Sequence, residues 1–217
     1  LEKTDKAAMA CIDPERRAQD RDNYIWIRDA QKHDLVVGTK ARILYQDAQG
    51  RKKIALQFNE MVRRGEIGPV MLGRDHHDVS GTDSPFRETA NIKDGSNIMA
   101  DMAVQCFAGN AARGMSLVAL HNGGGVGIGK AVNGGFGLVL DGSERVDGII
   151  ESAMMWDVMG GVARRSWARN PNSIATAIEY NQTYRGRAHI TLPYLPDDNL
   201  IKKTIRGHSP KGCVPKP

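Results

Sequence analysis

The chain has 217 residues, 41% hydrophobic and 25% charged, the balance of a globular domain with a sizeable core. That excludes a disordered acidic chain, a collagen-like repeat and a disulfide-stapled miniprotein. The net charge of +5 belongs wholly to residues 199–217, which hold Lys202, Lys203, Arg206, Lys211 and Lys216 and no acid, while residues 1–198 carry 25 charges of each sign.

The first residues, Leu1-Glu2-Lys3-Thr4-Asp5, form no apolar leader, and the missing initiator Met reads as a fragment or a processed chain. Asp13-Pro14-Glu15 predicts a helix start, with a cap, a Pro at the first helical position and an acid in the first turn; the helix is expected to run towards Gln31. Arg42-Ile43-Leu44-Tyr45 reads as a short strand, followed by a turn at Asp47-Ala48-Gln49-Gly50. Ile54, Phe58, Met61 and Val62 then recur at helical spacing, up to a stop at Arg63-Arg64-Gly65. Pro69-Val70-Met71-Leu72 is the next expected strand, and a long polar loop follows over about residues 73–96.

Ile98, Met99, Met102, Ala103 and Cys106 make another helical stripe. Ser116-Leu117-Val118-Ala119-Leu120 and Phe136-Gly137-Leu138-Val139-Leu140 read as buried strands, and helices are expected over roughly 144–159 and 171–181. This alternation predicts an α/β fold, a layered domain with a largely parallel sheet flanked by helices, over residues 1–198. Residues 199–217 are expected to be a basic, Pro-containing tail that is frayed and solvated. No window of eighteen apolar residues is present, so neither a membrane nor, with the charge confined to the tail, a nucleic acid is an expected partner. The cysteines Cys11, Cys106 and Cys213 are odd in number and far apart, which fits a reducing, cytoplasmic compartment.

Two loops, each after an expected strand, concentrate the chemistry, as is usual at the carboxyl ends of strands in α/β sheets. Residues 121–130, His-Asn-Gly-Gly-Gly-Val-Gly-Ile-Gly-Lys, hold five glycines. They fail the G-x-G-x-x-G pattern, because residue 128 is Ile, and they miss the P-loop pattern, because Ala131 follows Lys130 where a hydroxyl is required. Bare backbone at Gly123, Gly124, Gly125 and Gly127 suits close approach of an anionic or planar ligand, or a tight connection. The second loop contains Arg74-Asp75-His76-His77-Asp78 and, further on, Arg87. Adjacent carboxylates and imidazoles suit proton transfer near neutral pH. They also suit a metal-dependent hydrolase, through Asp75 and His77, or a loop closed by its own hydrogen bonds.

With both loops in view, the sequence resembles the urocanate hydratase (urocanase) family, specifically the C-terminal third of those enzymes. The resemblance runs from about residue 24 to 200. It rests on Ala41-Arg42-Ile43-Leu44-Tyr45, residues 58–66 (Phe-Asn-Glu-Met-Val-Arg-Arg-Gly-Glu), residues 73–89, Asp94-Gly95-Ser96 and residues 121–127. It implies a cytoplasmic homodimeric lyase of histidine degradation that adds water to urocanate, giving 4-imidazolone-5-propanoate, with tightly bound NAD+ as an electrophile rather than a hydride acceptor. It also implies that Gly125 contacts NAD+, with Gly123, Gly124 and Gly127 beside it, and that Asp75, His76 and Asp78 transfer or position protons. Leu44 stands where bacterial members carry a cysteine, so a thiol role there is not expected. The family's upstream arginine for the substrate carboxylate and its dinucleotide-binding region have no counterpart in these 217 residues. The chain alone is therefore expected to be inactive and to lack most of the NAD+ site.

Overall fold

The computed structural model describes residues 1–33, 41–43, 45–73, 100–121, 133–167, 169–186, 188–194 and 198–207. Helix begins earlier than expected: α1 (Glu2–Cys11) has Glu2 and Asp5 in its first turn, where the helix dipole favours acids. At Asp13 the side chain accepts from the Glu15 N–H (3.0 Å). This closes a turn, and α2 starts only at Ala18, running to Asp29.

The strand expected over residues 42–45 does not form among the described positions. The reason lies in Asn23 of α2, which is buried. Its Oδ1 accepts from the Tyr45 N–H (2.5 Å) and its Nδ2 donates to the Tyr45 carbonyl (2.7 Å). One amide side chain thus supplies the pairing that a neighbouring strand would supply. The turn expected at residues 47–50 is instead the start of α3 (Ala48–Arg63), capped by Asp47 Oδ1 accepting from the Gly50 N–H (2.8 Å). The helix stops as expected, with Gly65 at φ +69°, a conformation that glycine adopts without strain.

The strands are β1 (Val70–Gly73), β2 (Leu117–His121) and β3 (Asn133–Leu140), with α4 (Ala100–Ala112) between β1 and β2. Their order is β1-β3-β2, and both pairings are antiparallel, with Leu72 opposite Leu138 and Val118 opposite Phe136. This corrects the expectation of a largely parallel sheet. β1 and β2 do run parallel, linked through α4, but β3 lies between them and runs the other way. Only residues 122–132 separate β2 from β3. That connection is shorter than the dozen or more residues a crossover between adjacent parallel strands takes, and the chain returns antiparallel.

Helices α5 (Glu144–Trp167) and α6 (Pro171–Thr183) occupy the expected stretches, the first continuing beyond residue 159. Asn170 caps α6 by accepting from the Ser173 N–H (3.0 Å) with Pro171 in the first turn. A further helix, α7 (Asp198–Gly207), lies where a frayed tail was expected. The core joins one sheet face to the helices: Phe136, Leu138 and Leu140 pack in one cluster with Ala8 and Ile12 near α1, Ile54, Phe58 and Met61 of α3, and Val146, Ile150 and Met154 of α5. None of the helices of the described residues is long and apolar enough to cross a membrane.

Candidate functional site

Because β3 is antiparallel to both neighbours, β1 and β2 point the same way, but the register staggers their carboxyl ends: Gly73 and Leu117 both lie opposite Gly137, while His121 lies opposite Asn133 at the start of β3. The chain continues past Gly73 towards the Asp-His loop and past His121 towards the glycine-rich loop. The two departure points are two strand spacings apart across the sheet, about 10 Å, and four residues apart along it, about 13 Å. Asp75, His76, His77 and Asp78, and Gly123, Gly124, Gly125 and Gly127, lie outside the described residues, as does Leu44. The structure places the two strand ends that precede these segments on either side of β3, staggered by four residues.

The opposite end of the sheet is pinned by Asn59, which is fully buried. Its Oδ1 accepts from the Gly142 N–H (2.8 Å), and its Nδ2 donates to the Ser143 carbonyl (3.0 Å) and to Asp147 Oδ1 (2.7 Å). Arg63 adds a bond to the Gly142 carbonyl (2.7 Å) and ion pairs with Asp147 and Glu60. Its guanidinium is held more firmly protonated than usual, first by the hydrogen bond to Asp147. Gly142 has φ +85°, and a Cβ there would stand 2.8 Å from the Arg63 backbone nitrogen. These contacts fix where β3 hands over to α5.

A groove of about 460 Å³ lies between α4, α5, α6 and the segment after α6. Its walls include Cys106, Arg113, Met155, Trp156, Tyr180 and His189. The Arg113 guanidinium sits 4.2 Å from the centre of the Trp156 ring, a cation–π contact, and its Nη1 donates to the Gly109 carbonyl (3.0 Å). A Cβ on Gly109 would fall 2.2 Å from Trp156 Nε1, so the indole requires glycine at that position. Cys106 Sγ donates to Asp157 Oδ1 (3.5 Å), which also accepts from Asn110 Nδ2 (3.3 Å). Burial pushes the Tyr180 phenol above its ordinary range, with Tyr184 adding to it. Sequence reading missed this groove, because its residues come from three helices and the segment after them, spread over positions 105–190 with no local motif. Among the described residues no group of three or more His, Cys, Asp or Glu side chains is placed to hold a metal ion.

Residues 1–179 match the family described as "Urocanase C-terminal domain". The chain is 50% identical over 204 residues to "Urocanate hydratase" of Mus musculus, covering 93% of this chain and 30% of that protein. It is 52% identical over 189 residues to the Homo sapiens "Urocanate hydratase", covering 85% of this chain and 27% of the relative. Similarity to a "Probable urocanate hydratase" of Caenorhabditis elegans is 49% over 212 residues, covering 94% and 32%. The chain thus spans about a third or less of the length of these relatives.

Proposed function

The chain belongs to the urocanase C-terminal domain family, and from that membership we propose that it forms the C-terminal part of a urocanate hydratase, a hydro-lyase of histidine degradation. The observation that carries the reading is identity of about half across nearly the whole chain to proteins so named. The substrate is urocanate, the product 4-imidazolone-5-propanoate, and the working form a cytoplasmic homodimer.

NAD+ would supply an electrophilic ring to the reaction. The fit of this chain to that cofactor is partial. Dinucleotides bind at the ends of adjacent parallel strands in a βαβ unit, whereas here β3 separates the two parallel strands. The chain therefore contributes one wall of the cofactor site through Gly123, Gly124, Gly125 and Gly127, and the remainder comes from elsewhere in the enzyme. Three adjacent glycines leave backbone N–H groups bare for close approach of the cofactor.

Hydration moves protons to and from the substrate. Asp75, His76 and Asp78 hold and transfer them, since imidazoles and carboxylates are the side chains suited to exchanging protons in water. The test uses a chimera in which this chain replaces the matched region of the mouse relative. Loss of urocanate absorbance in the near ultraviolet reports turnover. Asp75→Asn and His76→Ala are each expected to lower kcat by about 100-fold or more. Near-parental turnover in both would sink the assignment.

A further inference from the structure

The sheet has a second face. Positions alternating with the core residues place Met71 of β1, Leu117 and Ala119 of β2, and Gly135, Gly137 and Val139 of β3 on it. Met71 is paired directly with Val139, and Leu117 lies across from Gly137, the next position outward along β3. Met71, Leu117 and Val139 are 57%, 50% and 40% exposed. The Met71 methyl lies over Gly137, 2.3 Å from where a Cβ would stand. These positions are apolar, and the polar pair His121 and Asn133 closes the row at its far end. Antiparallel sheets with one solvated face alternate apolar inside and polar outside, whereas sheets covered on both faces are apolar throughout. This sheet has the second pattern, with one covering layer in place.

We infer that this outward face is the seat of a second apolar layer, supplied by the polypeptide that family members carry upstream of the region matched here. Two observations select that occupant. The chain spans only 27–32% of its relatives, and its family is described as a C-terminal domain, so roughly two thirds of each relative lies outside the matched region, mainly upstream. The alternation also puts Gly73 and His121, the last positions of β1 and β2, on this face, and the Asp-His and glycine-rich segments follow them directly in sequence. A layer seated there covers both strand ends from which those segments leave. The inference rests on the proposed function for the identity of that upstream polypeptide.

Leu117→Cys and Val139→Cys test it, made both in the 217-residue chain and in the chimera with the mouse relative. Maleimide labelling is read at each site by peptide mass spectrometry, with Tyr194→Cys, at a position 93% exposed, as the open reference. Labelling at 117 and 139 is expected to slow at least tenfold in the chimera while the reference rate holds. Hydroxyl-radical oxidation of Met71 in the unsubstituted proteins should fall in the same way, and it covers the case in which a cysteine variant misfolds. Equal rates in the two proteins overturn the inference. So does protection in the 217-residue chain that rises with its concentration, which would assign the face to a second copy. A chimera that hydrates urocanate with the face still open sinks this inference alone. Protection without turnover sinks the functional reading alone.

Discussion

Buried asparagines act as fasteners in this fold. Asn23 pins the backbone of Tyr45, and Asn59 pins the turn at Gly142 and Ser143. Asn181 holds the segment after α6, accepting from the Ile190 N–H (2.7 Å) and donating to the Ile190 carbonyl (2.8 Å). In each case a side-chain amide bonds backbone groups of an irregular segment. Asn59→Ala strands the buried Gly142 N–H and leaves Asp147 with one partner fewer, while the Ser143 carbonyl keeps the Val146 and Asp147 N–H groups. It is expected to lower stability by about 1–3 kcal/mol, read as a shift in the urea midpoint. None of the three is legible from sequence, since an asparagine on a helix looks the same whether it is solvated or reaches across 22 or 83 residues. Cys11 is different: burial raises its thiol pKa, so iodoacetamide at pH 8 should modify it more slowly than a free thiol.

At the level of elements, the sequence located most helices and all three described strands, because burial of one face imposes a local period. It failed where a tertiary contact replaced a local preference. Residues 42–45 are β-prone, but Tyr45 receives its backbone pairing from Asn23, and residues 47–50 look like a turn but form the capped start of α3. The stretch after residue 198 looks frayed by composition and still contains α7. Contact between α4 and α5 depends on Gly109, whose missing side chain admits the Trp156 ring. Gly109→Ala raises helix propensity yet forces the indole aside. The expected net result is a loss of about 1–3 kcal/mol, together with a change in the near-ultraviolet circular dichroism of the tryptophan.

On the scale of the whole molecule, several exposed carboxylates are held below their ordinary range. Asp29 is lowered first by the hydrogen bond from Arg28, Glu2 by that from Lys6, and Asp141 by those from Ser143. Groups with depressed folded-state pKa values add stability above the unfolded carboxylate range and lose it as pH falls through the folded values. The urea midpoint should therefore be flat from pH 7 to about 5 and decline below about pH 4. The decline should be modest, because these groups face solvent.

The sequence by itself determined the segments proposed to carry chemistry, since Asp75-His76-His77-Asp78 and the glycine run at 123–127 are contiguous and need no partner to be recognised. It also determined the family, through half of its residues, and the helical faces that meet the core. Tertiary structure alone decided that β3 lies between β1 and β2, and that those two strands run the same way with their ends staggered by four residues. It alone decided that one apolar face of the sheet is covered and the other open. The physical reason is that periodicity records whether a side chain is to be buried, while the partner that buries it is fixed by chain connections and packing between residues far apart in sequence.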